Sequence, residues 1–260
     1  MSDNADQGFP AGEVNEDRRA RMERSRPGHL DSDRGVAPYP PESSWRMPVL
    51  ARRLLLLAPP LLLAGWEVAH PQPDANIRAL MDVSTWFAAF HGIQLILIGL
   101  VAVSVLLLAD AWGRASSWAT RLGVGLFLVF YSAYDSVAGI ATGLAMRSAR
   151  DLSPAQQEGV YAVVKDWPGL SAPFALSILG TLGWVVAVGN LALAARRLGA
   201  PRAEWIMLGL AALCLMGGHP FPYGTLAFGA FFVAALVHET KAARAARHAR
   251  RPPGQWPTQP

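Results

Sequence analysis

The first 46 residues mix Pro, Gly, Ser, Asp, Glu and Arg without an apolar period, and beyond them the chain turns predominantly apolar. From Val83 to Ala109 there are 27 consecutive residues without Asp, Glu, Lys or Arg; from Leu122 to Met146 there are 25, of which only Asp135 is charged. Both runs exceed the length of about 18 to 20 residues that a bilayer crossing needs, so they predict membrane-spanning helices two and three. The first span is less regular. Leu54 to Trp66 gives only 13 uncharged residues, about 20 Å of helix, so it must borrow from Pro48 to Arg53 while Arg52 and Arg53 snorkel to the headgroups. Pro59 and Pro60 remove two backbone donors in mid-span and predict a kink.

A fourth span runs from Pro173 to Ala195. The last apolar stretch, Trp205 to His238, has 34 residues, about 51 Å as one helix against a hydrocarbon core of about 30 Å. It must therefore be two spans, broken at Gly217-Gly218-His219-Pro220-Phe221-Pro222-Tyr223-Gly224. Pro201 suits the start of span five, with Arg202 and Glu204 left in the interface. The expected fold is all-α: a disordered cytoplasmic tail over 1–46, a six-helix transmembrane domain over 47–239 and a basic cytoplasmic tail over 240–260, with both tails disordered. Two connections carry helix signals of their own. Ser153-Pro154-Ala155-Gln156 reads as a capping box, followed by Val160, Val163, Val164 and Trp167 on one side, and Asp74 suits the cap of a helix leading through Ile77, Leu80 and Met81 into span two.

Composition sharpens this picture. Apolar residues make up 52% of the chain and charged ones 16%, yet 9 of the 19 acidic and 7 of the 23 basic residues lie before Met47, so a soluble globule is excluded. A late first apolar run, behind two arginines, is a span and not a cleaved leader. The lone Cys214 permits neither an intrachain disulfide nor a cysteine metal framework and reads as a buried thiol. The net charge of +4 comes from short basic clusters beside apolar runs, which membrane topology explains and nucleic-acid binding does not.

Thirteen basic residues flank spans on the amino-terminal side, including Arg114, Arg250 and Arg251, against four on the other: Arg78, Arg147, Arg150 and Lys165. Both termini are therefore expected in the cytoplasm of a bacterial plasma membrane. Seven of nine tryptophans, Trp45, Trp66, Trp86, Trp112, Trp118, Trp167 and Trp205, fall near span ends, where an indole is half wet.

Asp135 is the most informative residue, since a mid-bilayer carboxylate costs about 2.5 to 3.5 kcal/mol on insertion scales. Ten apolar neighbours return roughly 3 to 6 kcal/mol, so the span inserts, but the acid must face protein or water. Steps of four from Tyr131 reach Asp135, Gly139 and Gly143 on one stripe, where the glycines admit a close neighbour. On span two the stripe is Ser84, Phe87, His91 and Gln94. Counted from the outer end, His91 lies about 12 Å deep, and Gln94 and Asp135 about 17 Å. Glu67 and His70 at the outer end of span one, and His219 with Tyr223 in the hinge, add polar atoms at that level. The expectation is an outer-half cluster of Asp135, His91, Gln94, Tyr131, Glu67, His70 and His219 able to share a proton.

A metal centre from His70, His91, His219 and Asp135 is chemically reasonable. No two of them share a helix at ligand spacing, however, so no metal or cofactor is assigned. Haem lacks a second well-placed axial histidine. His238 reads as a snorkelling side chain, and Asn190 as a packing donor. No GxSxG, HExxH or phosphate-cradling loop occurs.

The segments WFAAFHGIQ and FLVFYSAYDSVAGIATG, within Trp86 to Met146, and the later GGHPFPYG resemble multi-pass membrane proteins of high-GC bacteria that carry no assigned activity. The resemblance spans about two thirds of the chain and implies His on span two and Asp followed by glycines on span three. It brings no activity. Three readings follow: a non-enzymatic membrane component using the cluster as a clasp, a proton-coupled permease with Asp135 as proton site, and a membrane-embedded, metal-dependent enzyme. The expected partners are the lipid bilayer and either other membrane proteins or a second copy of the chain, with no nucleic acid.

Overall fold

The computed structural model describes residues 47–71, 77–113, 117–166 and 172–249, and they form helices and connections with no strand among them. The expected disordered tail over 1–46, the Asp74 cap, Trp45, Trp167, Arg114, Arg250 and Arg251 lie outside the described residues. α1 is Val49–Val68 and α2 is Leu80–Ala111, entered through a 3-10 turn at Ile77–Ala79. α3, Trp118–Asp151, is a single rod of mixed pitch. α4 is Pro154–Asp166, α5 Ala172–Arg197, α6 Arg202–Cys214 and α7 Tyr223–Ala249. By length and composition α1, α2, α3, α5 and α7 can each cross a membrane. α6 is the expected fifth span in short form: its 13 residues rise about 20 Å and the 3-10 turn Leu215–Gly217 adds about 6 Å.

Each of these six helices packs on the next in chain order, α1 on α2, α2 on α3, α3 on α5, α5 on α6 and α6 on α7, and α7 returns to α1, which closes a ring. The lower end of the ring carries the start of α1 and the end of α7, where Arg52 and Arg53 bridge Glu239 at 2.5 and 3.0 Å. The upper end carries the α1–α2 connection, α4 and the α6–α7 hinge. Trp184 fills the ring interior with Phe127, Phe228 and Phe231, and its indole N–H donates to the Ala211 carbonyl at 2.9 Å. Trp86 and Trp118 are exposed near helix ends, in keeping with the interfacial reading.

The double proline of α1 is absorbed inside the bundle. Pro59 has no N–H for the Leu55 carbonyl four residues back, and the Ser104 hydroxyl of α2 donates to that carbonyl at 2.6 Å. Both prolines are buried against the core.

Five expectations are corrected. α7 runs to Ala249, so residues 240–249 of the basic tail are helical: Ala and Arg are strong helix formers, and cations favour a helix carboxyl end. Glu204 does not stay in the interface but is fully buried, and His238 does not snorkel: its Nδ1 lies 2.9 Å from Glu204 Oε1 inside the lower end, while Glu204 Oε2 finds no partner among the described residues. Cys214 is partly buried, packed at the margin of the core between the exposed Leu213 and the buried Leu215. On α4 Val164 is buried but Val163 is exposed. The Gln half of the expected capping box is formed, with the Ser153 backbone N–H and hydroxyl both donating to Gln156 Oε1, at 3.1 and 2.8 Å.

Candidate functional site

Three helices and two connections supply the site. α1 contributes Glu67 near its upper end, and His70 follows in the chain that leaves it. α2 presents Ser84, Phe87, His91 and Gln94, all buried on one stripe. α3 presents Tyr131, Asp135, Gly139 and Gly143, also all buried. The α6–α7 hinge contributes His219.

The α3 stripe stays straight because the rod changes pitch. Phe127–Tyr131 and Ser136–Ala141 are π-helical, with Ser132–Asp135 α-helical between them. A step of four residues drifts forward by about 40° in an α-helix and falls back by about 30° at the wider π pitch of roughly 4.4 residues per turn. The two drifts offset each other, so Asp135, Gly139 and Gly143 share the face turned to α2, while Tyr131 lies at the seam with α5, where a Cβ on Gly180 would stand 2.8 Å from its Cβ. Side chains support the widened turns: the Ser136 hydroxyl donates to the Ser132 carbonyl at 2.7 Å, and the Thr142 hydroxyl to the Val137 carbonyl, five residues back, at 3.2 Å.

Glycine decides how closely α3 approaches α2. A Cβ at Gly139 would overlap the His91 ring, and one at Gly143 would stand 2.8 Å from the Ala88 Cβ and 2.9 Å from the Ser84 carbonyl. The contact that seats the imidazole also brings the acid to it.

His91 Nδ1 lies 2.8 Å from the Phe87 carbonyl, which can only accept, so Nδ1 carries the proton and Nε2 the lone pair. That Nε2 faces Asp135 Oδ1 at 3.8 Å, too far for a hydrogen bond. Asp135 is 1% exposed, and neither of its oxygens finds a hydrogen-bond partner among the described residues; the same holds for both ring nitrogens of His70 and for Gln94 Oε1. On the other flank Glu67, fully buried, meets Gln94 Nε2 at 3.1 Å and His219 Nδ1 at 3.3 Å. Gln94 Nε2 also stands 3.1 Å from His219 Nδ1.

His70 stands between the other two histidines, its ring centroid 5.1 Å from that of His91 and 4.8 Å from that of His219, edge to face in both cases. One ring nitrogen from each of the three lies within 4.8 Å of the others. Phe87 and Phe90 also lie edge-on to His70, and Trp66 stacks on Phe90 at 4.9 Å. Burial lowers the His70 pKa to about 3, helped by His219 and His91 and opposed by the Pro71 backbone; burial alone takes that of His219 to about 4. Both imidazoles are neutral at pH 7.

All seven residues expected in the cluster lie at this upper end. Tyr131 borders it, its ring centroid 5.9 Å from that of His219. Tyr223 is half-exposed and covers Gly217 instead. Sequence reasoning missed the wall of Trp66, Phe87 and Phe90, since aromatics in an apolar helix carry no polar signal. It also missed the Glu204 and His238 pair, because both residues stand close to arginines that suggest an interface. The buried polar residues at the upper end include two carboxylates and two histidines, with His70 half-buried beside them; among the described residues no Lys or Arg is buried. No protein-family model, no curated protein and no solved structure matches the chain.

Proposed function

We propose that the protein is a non-enzymatic, multi-pass component of the bacterial cytoplasmic membrane, with both termini cytoplasmic, whose upper-end cluster is a sensing or assembly site facing the outside. The observation that carries this reading is that the cluster is closed from below. One turn beneath Glu67 is Leu63, one turn beneath Gln94 is Ile98, and one turn beneath Tyr131 is Phe127, each at most 1% exposed. Beneath these lie Trp184, Phe228 and Phe231, packed in the apolar core. A permease needs access from both sides, and this packing favours a site that opens to one.

The proton-coupled reading has one observation in its favour: two π segments bracket Asp135, and such segments are frequent at functional sites. Proteoliposomes decide between the two. Under a pH gradient the wild-type protein is expected to conduct no protons and Asp135→Asn to behave identically; flux lost in the variant would establish the permease instead. Orientation is checked with Cys214→Ser carrying Ala155→Cys on α4. A membrane-impermeant maleimide is expected to label intact cells, and labelling confined to inverted vesicles would reverse the topology.

A further inference from the structure

We propose that His70, His91 and His219 bind one divalent first-row transition-metal ion of the zinc type, entering from the upper end, with Asp135 and Glu67 neutralising its charge. The proposal rests on the one-sided reading above and names the ligand of that site.

The donor chemistry selects the ion. Three neutral imidazoles suit zinc and its neighbours; calcium and magnesium prefer oxygen, and no thiolate is present to favour copper(I). One ligand is already oriented as metal ligands are, and one tautomer of a second matches it. His91 gives its Nδ1 proton to the Phe87 carbonyl and bares Nε2. His219 takes the same arrangement in the tautomer that donates from Nδ1 to Glu67, 3.3 Å away, and not in the one that accepts there from the Gln94 amide at 3.1 Å; Nε2 is then bare, in a carboxylate–histidine pair of the kind that supports metal-bound imidazole. Gln94 holds the other oxygen of the same carboxylate at 3.1 Å.

Distances allow the closure. Nitrogens bound to zinc at about 2.1 Å are about 3.4 Å apart, so a trio at most 4.8 Å apart closes with inward movements of up to about 0.8 Å each. His91 Nε2 and Asp135 Oδ1, 3.8 Å apart and not hydrogen-bonded, are close to the separation of two ligands on one ion. Charge and unsatisfied groups agree with this. On binding a cation Glu67 and Asp135 can together release two protons, and with no Lys or Arg buried among the described residues one divalent ion would balance the two carboxylates. Of the seven buried side-chain atoms lacking a hydrogen-bond partner among the described residues, five belong to His70, Asp135 and Gln94. Native interiors seldom orphan polar atoms in such a concentration, and a cation among them satisfies the acceptors.

The test uses the full chain, purified from membranes with a tag free of histidine, stripped by a chelator and titrated with Zn2+ and with Co2+. The expected result is about one ion per chain, with visible d–d bands of tetrahedral Co2+, for wild type and for His29→Ala. Both should disappear in His91→Ala and His219→Ala, and Glu67→Gln should weaken binding about 10- to 100-fold. Should the histidine variants fail to fold, the wild-type cobalt spectrum and a rise in Tm with added Zn2+ remain as readouts. Wild-type protein that takes up no metal, or uptake unchanged in folded His91→Ala, overturns the proposal. His70→Cys in Cys214→Ser separates the two readings: labelling by an impermeant maleimide from outside, without metal uptake by wild type, overturns the metal and leaves the one-sided site. Labelling only from inside overturns the site itself.

Discussion

Ser104 shows how one hydroxyl makes a proline tolerable in a bilayer. It donates to the carbonyl that Pro59 leaves open, in a medium where water cannot, so Ser104→Ala is expected to cost about 1 kcal/mol, read as a lowered thermal midpoint in detergent. Gly139→Ala is expected to cost more, since the new methyl displaces the His91 ring; its signature is destabilisation together with loss of metal uptake. Stability should also depend on pH. His70 and His219 titrate near 6.5 when unfolded, and at about 3 and 4 in the native protein. The unfolded chain therefore binds protons first. Their neutral burial supports the fold fully above about pH 6.5, and the support declines as pH falls towards 4. These two rings therefore add a destabilising slope on acidification, so in metal-free protein the denaturant midpoint of wild type should change more unfavourably between pH 7.5 and 4.5 than that of His219→Ala, and parallel profiles would contradict the burial of that ring. At this scale the sequence was informative wherever a polar atom interrupted an apolar run, as Asp135, His91 and Gln94 do. It was uninformative for Glu204 and His238, whose burial depends on a partner 34 residues away.

Among the elements, the seam between α3 and α5 depends on glycine as much as the seam with α2. A Cβ on Gly183 would stand 2.5 Å from the Phe127 amide nitrogen and 2.8 Å from the Gly123 carbonyl, whereas one on Gly189, two turns along, meets nothing within 4 Å. The same substitution should therefore change sign along one helix. Gly183→Ala is expected to destabilise by about 1 to 3 kcal/mol, while Gly189→Ala gains up to about 1 kcal/mol of helix propensity, both measurable by thermal unfolding. Span positions were legible because uninterrupted apolar length is a direct requirement of the bilayer. The π turns were not, since pitch is decided by what α3 must face on two sides and leaves no mark in composition. The reach of α7 to Ala249 was hidden by its charges, although Ala-rich sequence supports a helix as well outside a membrane as within it.

For the whole molecule, ring closure explains why a histidine trio escapes a spacing rule. His70, His91 and His219 come from a helix exit, a helix interior and a hinge, and only the return of α7 to α1 brings the third beside the first two. Metal-site patterns within single helices cannot register a site assembled this way. The ring also separates the arginine bridges to Glu239, at the lower end, from the cluster of three histidines and two acids at the upper end.

The short α6 has a mechanical consequence for the surrounding lipid. Ile206, Leu210, Leu213 and Met216 form its outward stripe, and helix plus 3-10 turn rise about 26 Å where acyl chains ordinarily fill about 30 Å. The leaflets must pinch along this flank, which draws the headgroup layer towards the His219 hinge. Reconstitution into phosphatidylcholines of decreasing chain length is thus expected to raise the unfolding temperature until thickness matches this flank, and the protein should gather in thinner patches of a mixed membrane.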